Sequence, residues 1–290
     1  MFIPRKILEE KLGAMLTEDL GEGDITTALI VPEQIIAEAE VISKKAGTLA
    51  GVEEAITLIE SVGLEAEAKI KDGDKIRPHQ TLFTIRGNAR TILAIERTLL
   101  NVMSRMSGIA TATSSMIEKI RKAGTKTKVA CTRKTAPGLL YFDKKAVILG
   151  GGDPHRFRLD DMVLIKDNHI AIAGSVAKAV RKAKENASFS KKVEVEVTRI
   201  ADVLPAVQAG ADIVMLDNFS PKQVENAVYM LREKGLRDKV LLEASGGITE
   251  KNVLEYASKG VDIISVGALT SSSHSLDMSL EIKRVLRKKN

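Results

Sequence analysis

Cations, carboxylates and glycines recur at intervals through the second half of the chain. Thr132-Arg133-Lys134 is followed by GGGDPHR (Gly150 to Arg156), Lys166-Asp167-Asn168-His169, Glu194 with Glu196, Asp217-Asn218, Glu243 with Ser245-Gly246-Gly247, and Val266-Gly267-Ala268. Gathered at one mouth, Arg133, Lys134, Arg156 and Lys166 would repel one another unless an anion joined them. Arginine is the side chain suited to gripping a carboxylate through two parallel hydrogen bonds. Glu196 and Asp217 are hard oxygen donors, fit for ribose hydroxyls and for a hydrated Mg²⁺ carried by phosphates. The backbone N–H groups of the Ser-Gly-Gly turn, ahead of a helix predicted to begin at Thr249, suit a phosphate, and the Val-Gly-Ala segment offers a second close backbone approach. Zinc is not indicated, since there is no Cys pair and His79, His155, His169 and His274 show no ligand spacing. His79 reads as a solvated turn residue and Cys131 as core.

The elements that must carry these groups follow from the apolar pattern. After Gly124, short β-branched strands (KTKVACT, DMVLIKD, KVEVEV, ADIVMLD, KVLLEAS, DIISVGAL) alternate with helical segments such as SVAKAVRKAKENA, ADVLPAVQAG, SPKQVENAVYMLREKG and TEKNVLEYASKG. Near-continuous apolar strands between helices imply a parallel sheet covered on its faces. Polar groups stand at every strand end, as at the mouth of an α/β barrel, whereas an open doubly wound sheet would concentrate them at one switch point. Six strands are fewer than eight, so an incomplete or open barrel fits the pattern as well as a full one. Glu194 and Glu196 lie on one strand face by period-two alternation.

The first part of the chain has no such repeat. Ile7 to Leu16 and Gly51 to Val62 have helical spacing, Ala37 to Ser43 and QTLFTIRG read as strands, and Asp72-Gly73 marks a tight hairpin turn. A small, largely antiparallel α+β unit is the economical reading, with a helix over about 90–122 bridging to the second part. The division expected is residues 1–112, 113–272, and a C-terminal helix within 273–290 that packs back on the N-terminal domain.

Bulk properties narrow the function classes. The chain has 290 residues, 44% hydrophobic and 28% charged, with a single cysteine and a formal net charge of +6. No intrachain disulfide is possible, no apolar run approaches the roughly 18 to 20 residues that span a bilayer, and a reducing cytoplasmic setting follows. Positive charge raises the question of nucleic acid, but aromatic residues make up 3% with no Trp, leaving few stacking platforms. An anionic small substrate accounts for a focused positive site better than nucleic acid does.

Several longer motifs occur together: EDLGEGDITT, ERTLLNVMSRMSGIAT, TRKTAPGL, KKAVILGGGDPHR, LIKDNHI, EVEVT, LDNF, EASGGI and ISVGAL. In these and in their order, over nearly its whole length, the chain resembles the quinolinate phosphoribosyltransferase family. The resemblance implies an incomplete α/β barrel with an N-terminal α/β sandwich domain completed by C-terminal helices, and at least a homodimer with shared active sites. It implies formation of nicotinate mononucleotide, pyrophosphate and CO₂ from quinolinate and phosphoribosyl pyrophosphate, in NAD biosynthesis. Arg97 would reach a quinolinate carboxylate across the dimer, with Thr132, Arg133, His155, Arg156 and Lys166 around the rest of that pocket. Lys134, Glu196 and Asp217 would handle phosphoribosyl pyrophosphate and its Mg²⁺, with Lys134, Lys166, Glu196 and Asp217 as the catalytic set. Ser245, Gly246, Gly247, Val266, Gly267 and Ala268 would receive the 5-phosphate. Pro154, Leu140 and Ser271 depart from the family pattern, where Asn, Arg and His are usual. The residues themselves leave two rivals: nicotinate transfer without decarboxylation, and a Schiff-base lyase using Lys166.

Overall fold

The computed structural model describes residues 3–287. The chain divides into two compact units, Met1–Thr111 with Ile148–Gly150 and Ser273–Asn290, and Ala112–Val147 with Gly151–Ser272.

In the first unit, α1 (Arg5–Leu20) buries Leu8, Leu12 and Leu16, one stripe at four-residue spacing. Helix α2 (Ile25–Ile30) starts at Asp24, whose carboxylate accepts from Thr27 N at 2.9 Å. Then come β1 (Ile35–Ser43), β2 (Gly47–Thr48), α3 (Val52–Ser61), β3 (Glu65–Ala68), β4 (Lys75–Ile76) and β5 (Thr81–Asn88). Buried Ala37, Ala39, Val41, Leu82, Phe83 and Ile85 from β1 and β5 meet the core with Ala55, Leu58 and Ile59 of α3.

Two expectations need correction here. The C-terminal segment is a strand, Met278–Arg287, antiparallel to β1 at the edge of a sheet continuing through β5 to β3. Its Glu, Lys, Arg and Leu content favours helix locally, but pairing with a strand far away in sequence overrides that weak preference. Asp72-Gly73 is a turn without a hairpin, because β3 pairs with β5 and β4 pairs with β2. The Asp72 carboxylate instead accepts from Val52 N at 2.9 Å, capping α3, whose N-cap residue, Gly51, has no side chain to do so.

Helix α4 (Ala89–Lys122) is 34 residues long. It contributes Ile92, Ile95, Leu99, Met103 and Met106 to the first unit's core and Met116 and Ile120 to the second's.

The second unit runs β6 (Lys128–Ala130), α5 (Leu140–Leu149), β7 (Val163–Ile165), α6 (Asp167–Ala173), α7 (Val176–Asn186), β8 (Val193–Val197), α8 (Ile200–Gln208), β9 (Ile213–Asp217), α9 (Pro221–Glu233), β10 (Leu241–Ser245), α10 (Val253–Ala257), β11 (Ile263–Ser265) and α11 (Ala268–Ser271). Its six strands are parallel in the order β6-β11-β10-β9-β8-β7. From β7 to β11 successive strands are neighbours, with no reversal, and the first strand, β6, lies beside the last, β11. That is the order of a barrel opened once, between β6 and β7. The segment after α5 enters this opening: Asp153 N donates to Val129 O at 2.8 Å and Cys131 N to Asp153 O at 3.2 Å. Val195, Val214, Leu216, Leu242, Ala244 and Ile264 are fully buried, as are Val180, Val203, Ala206, Val224, Ala227 and Leu231 of the covering helices. On β8 and β10 the buried apolar residues flank the fully buried Glu194 and Glu243.

Candidate active site

Because side chains alternate along a strand, the register fixes which residues share a layer. Glu196 stands opposite Met215 and Met215 opposite Glu243; beyond them toward the carboxyl ends, Asp217 pairs with Ser245 and Ser245 with Ser265. A cavity of about 430 Å³ opens there, lined by Thr132, Arg133 and Lys134 after β6, His155 and Arg156 from the inserted segment, Lys166 after β7, Glu196, Asp217, Glu243, and the Ser245-Gly246-Gly247 turn. Eleven of the residues singled out from the sequence thus share one cavity. Val266, Gly267 and Ala268 are not among its lining residues, although a Cβ on Gly267 would meet Lys134 Cδ at 3.5 Å. Arg97 belongs to the first unit, exposed on α4. A larger hollow of about 690 Å³ touches Lys128, Lys192, Ile213, Leu241 and Ile263 at the strand starts. Apart from His155 and Arg156, it includes none of the polar groups at the strand ends.

The two strand ends carrying Asp217 and Ser245 are locked together. Asn218 N donates to Ser245 O at 2.8 Å, and Asn218 Nδ2 donates to Asp217 Oδ2 at 2.7 Å. Gly246 has φ 95°, and a Cβ there would fall 2.2 Å from Asn218 Oδ1 and 2.8 Å from Asn218 N. Only glycine fits this crossing. The helix expected at Thr249 begins later, at Val253, and has five residues. Asn252 Oδ1 instead accepts from Thr249 N at 2.7 Å, favouring a local turn over helix. The Ser245-Gly246-Gly247 turn therefore leads into further turn backbone and not directly into a helix N-terminus.

Lys166 precedes α6, and its backbone N–H donates to His169 Nδ1 at 2.9 Å, which gives His169 a capping task. Its Nζ stands 3.2 Å from Glu196 Oε2, with the lysine side chain half exposed. Exposed pairs are worth about 1 kcal/mol or less, so a bound anion and cation can re-partner both groups at little cost.

His155 reaches into the barrel, where Nε2 lies 2.9 Å from Glu194 Oε2 and 3.2 Å from Glu243 Oε2. Burial works against a charged ring, but the adjoining Glu194 and Glu243 carboxylates outweigh it and push His155 up to about 10. Burial also pushes Glu194 up, opposed by the adjoining His155. The imidazolium is the state two adjoining carboxylates enforce. These three side chains converge within 4.8 Å, close enough to hold a metal, but the histidine charge already compensates part of the acid. Arg156 donates from Nη1 to Met162 O at 3.0 Å, while its buried Nε has no hydrogen-bond partner among the described residues. Burial and then Arg133 push the Arg156 guanidinium down, an electrostatic demand for an anion.

Three groups were not singled out as site residues from the sequence: Glu194, Glu243 and Lys144. EVEVT carried a signal for the first, because alternation puts Glu194 on the face of Glu196. Lys144 had one too, since Asp143, Lys144 and Lys145 interrupt an otherwise apolar helix, LYFDKKAVIL.

A cation-rich cavity over the carboxyl ends of an opened parallel α/β barrel, with three carboxylates and a glycine turn, defines an enzyme of phosphorylated anions. Family models for the quinolinate phosphoribosyl transferase N-terminal and C-terminal domains match residues 24–107 and 109–281. A "Probable nicotinate-nucleotide pyrophosphorylase (carboxylating)" of Methanothermobacter thermautotrophicus is 47% identical over 93% of this chain and 96% of its own. The human nicotinate-nucleotide pyrophosphorylase (carboxylating) is 36% identical over 97% of this chain and 94% of its own. The solved nicotinate-nucleotide pyrophosphorylase of Francisella tularensis superposes with a TM-score of 0.89 at 40% identity, covering 97% of this chain and 98% of that one. The chain belongs to the quinolinate phosphoribosyltransferase family.

Proposed function

We propose that this chain joins quinolinate to the phosphoribosyl group of phosphoribosyl pyrophosphate, releasing pyrophosphate and CO₂ and forming nicotinate mononucleotide for NAD synthesis. One observation carries the reading beyond family membership: Arg133, Arg156 and Lys166 line the same cavity as Glu196, Asp217 and the Ser245-Gly246-Gly247 turn. The cations suit a dicarboxylate, and the carboxylates and turn suit a phosphorylated ribose.

In the reaction, the bond from ribose C1 to pyrophosphate breaks and the pyridine nitrogen attacks C1. The ring carboxylate at position 2 then leaves as CO₂, and a proton replaces it. Glu196 and Asp217 offset the positive charge that develops on the ribose, and fixed charges do this without reorganising in the transition state. Arg133 and Arg156 hold the ring carboxylates, Lys134 and Lys166 meet phosphate and carboxylate oxygens, and His155, its charge taken up by Glu194 and Glu243, lines the same pocket. Val266-Gly267-Ala268, at the end of β11, would extend the 5-phosphate site. Glu196 and Asp217 are hard oxygen donors on one cavity wall and fit Mg²⁺. When bound, that ion would neutralise pyrophosphate as it departs.

The enzyme is an assembly of at least two copies in this reading, with Arg97 supplied by a neighbouring chain to complete the quinolinate grip. No helix among the described residues is long and apolar enough to cross a membrane. A cytoplasmic location accords with this and with substrates that are polyanions.

The test is turnover of phosphoribosyl pyrophosphate and Mg²⁺ with quinolinate or nicotinate, following nucleotide and CO₂. Quinolinate should yield both products, and chelating the metal should stop the reaction. Product from nicotinate alone would refute the assignment.

A further inference from the structure

Lys144 of α5 is fully buried directly behind the two segments that carry the cavity's arginines. Its ammonium donates to Thr132 O at 3.0 Å, to His155 O at 3.0 Å and to Pro154 O, and lies 3.2 Å from Cys131 Sγ. None of these four partners is charged, because burial holds the Cys131 thiol protonated. A buried charge with no carboxylate hydrogen-bonded to it is costly, and Asp153 offsets that cost only through its field. Burial itself is the main influence pushing the Lys144 ammonium down, and Arg133 adds to it. A neutral side chain would avoid both. What it could not do is supply three N–H donors at one point, where three carbonyls from two segments meet.

The location gives that convergence a purpose. The ladder between the two segments ends where Cys131 N donates to Asp153 O at 3.2 Å. Just beyond that last bond, Lys144 ties Thr132 to Pro154 and His155. Arg133 is one residue past the first held carbonyl, and Arg156 is one residue past the last. We propose that Lys144 is a positioning residue that sets the separation of Arg133 and Arg156, and through it the recognition of two neighbouring carboxylates on one ring. This rests on the quinolinate reading above. Phosphoribosyl pyrophosphate should feel Lys144 much less, because Thr270 Oγ1 independently holds Lys134 O at 2.8 Å and the Ser245-Gly246-Gly247 turn comes from another strand.

The experiment compares Lys144→Met and Lys144→Arg with the unaltered enzyme, measuring quinolinate affinity by equilibrium titration and KM for each substrate. In Lys144→Met, quinolinate Kd and KM should rise on the order of 10- to 100-fold, as expected when buried carbonyls lose their donors. KM for phosphoribosyl pyrophosphate should stay within about 3-fold, a split that general damage to the fold would not produce. Lys144→Arg keeps the charge, but its planar fork cannot meet three carbonyls at one point, so it should show the same split. If Lys144→Met does not fold, Lys144→Arg decides between the same outcomes. Parallel loss of both substrates, or quinolinate binding unchanged in the folded variant, would overturn the proposal. An unaltered enzyme that neither binds nor converts quinolinate would instead refute the assigned reaction. Amide hydrogen exchange over 131–134 and 153–156 would then test the tie directly, and exchange unchanged in the variant would overturn it.

Discussion

Gly246 and Gly247 are adjacent, both have positive φ, and their surroundings differ enough to make a controlled experiment. Alanine at Gly247, φ 61° with nothing within 4 Å of the added carbon, incurs only left-handed backbone strain, about 1 to 2 kcal/mol. Alanine at Gly246, φ 95°, incurs comparable strain and also meets Asn218 Oδ1 at 2.2 Å and Asn218 N at 2.8 Å. Relief requires moving backbone, and such overpacking adds about 1 to 3 kcal/mol. Gly246→Ala should therefore lie about 1 to 3 kcal/mol below Gly247→Ala in stability, a further loss of at least ~2 °C in Tm. The displaced atoms belong to the link between Asp217 and Ser245, so the damage should also appear in catalysis. KM for phosphoribosyl pyrophosphate should rise by about 10-fold or more in Gly246→Ala, and by clearly less in Gly247→Ala. Thermal melts with steady-state kinetics on both variants read this out. Equal behaviour of the two variants would show that the crossing at Asn218 does not hold the strand ends.

The His155 cluster makes stability depend on pH with a definite sign. Its folded value of about 10 stands above the ordinary 6.5, so its stabilisation is complete below about pH 6.5 and is lost as pH rises toward 10. The unfolding free energy from urea melts should fall over that interval, by at most about 1.4 kcal/mol per pH unit, and His155→Gln should flatten the slope; an unchanged slope would contradict the ion pairs. Shared sites have a separate test in mixing. Arg97→Ala and Arg133→Ala proteins, each nearly inactive, should recover part of the activity on subunit exchange, and no recovery despite demonstrated exchange would place Arg97 in its own subunit's site.

All six barrel strands were legible because buried parallel strands are β-branched runs whose period and length differ from those of helices. The polar residues at their carboxyl ends were legible for the same reason, since once a strand is located its end is located. The C-terminal strand was not, because only distant β1 makes its charged sequence extended. The start of α10 was misplaced because the Asn252 side chain competes with helix locally. The interior charges were hidden for another reason. Neither Glu194 nor Lys144 shows in the sequence that its partners will be His155 or three backbone carbonyls, because those meetings depend on how the chain closes. Glu243, in KVLLEAS, reads as a strand-end acid and is in fact sealed inside.

The opening between β6 and β7 changes how densely side chains can be offered to the lumen. A strand in the wall presents every second residue, so neighbours in sequence cannot both face inward. Thr132, Arg133 and Lys134 are consecutive and all line the cavity, as do His155 and Arg156. All five lie on segments free of the pleat, beside the missing sector. There the fold trades hydrogen-bonded wall for irregular chain, with Lys144 supplying the support that neighbouring strands would otherwise give. A sealed barrel would be sturdier and would have fewer inward positions for cations, so the capacity to gather positive charge around one small ring originates in the break itself.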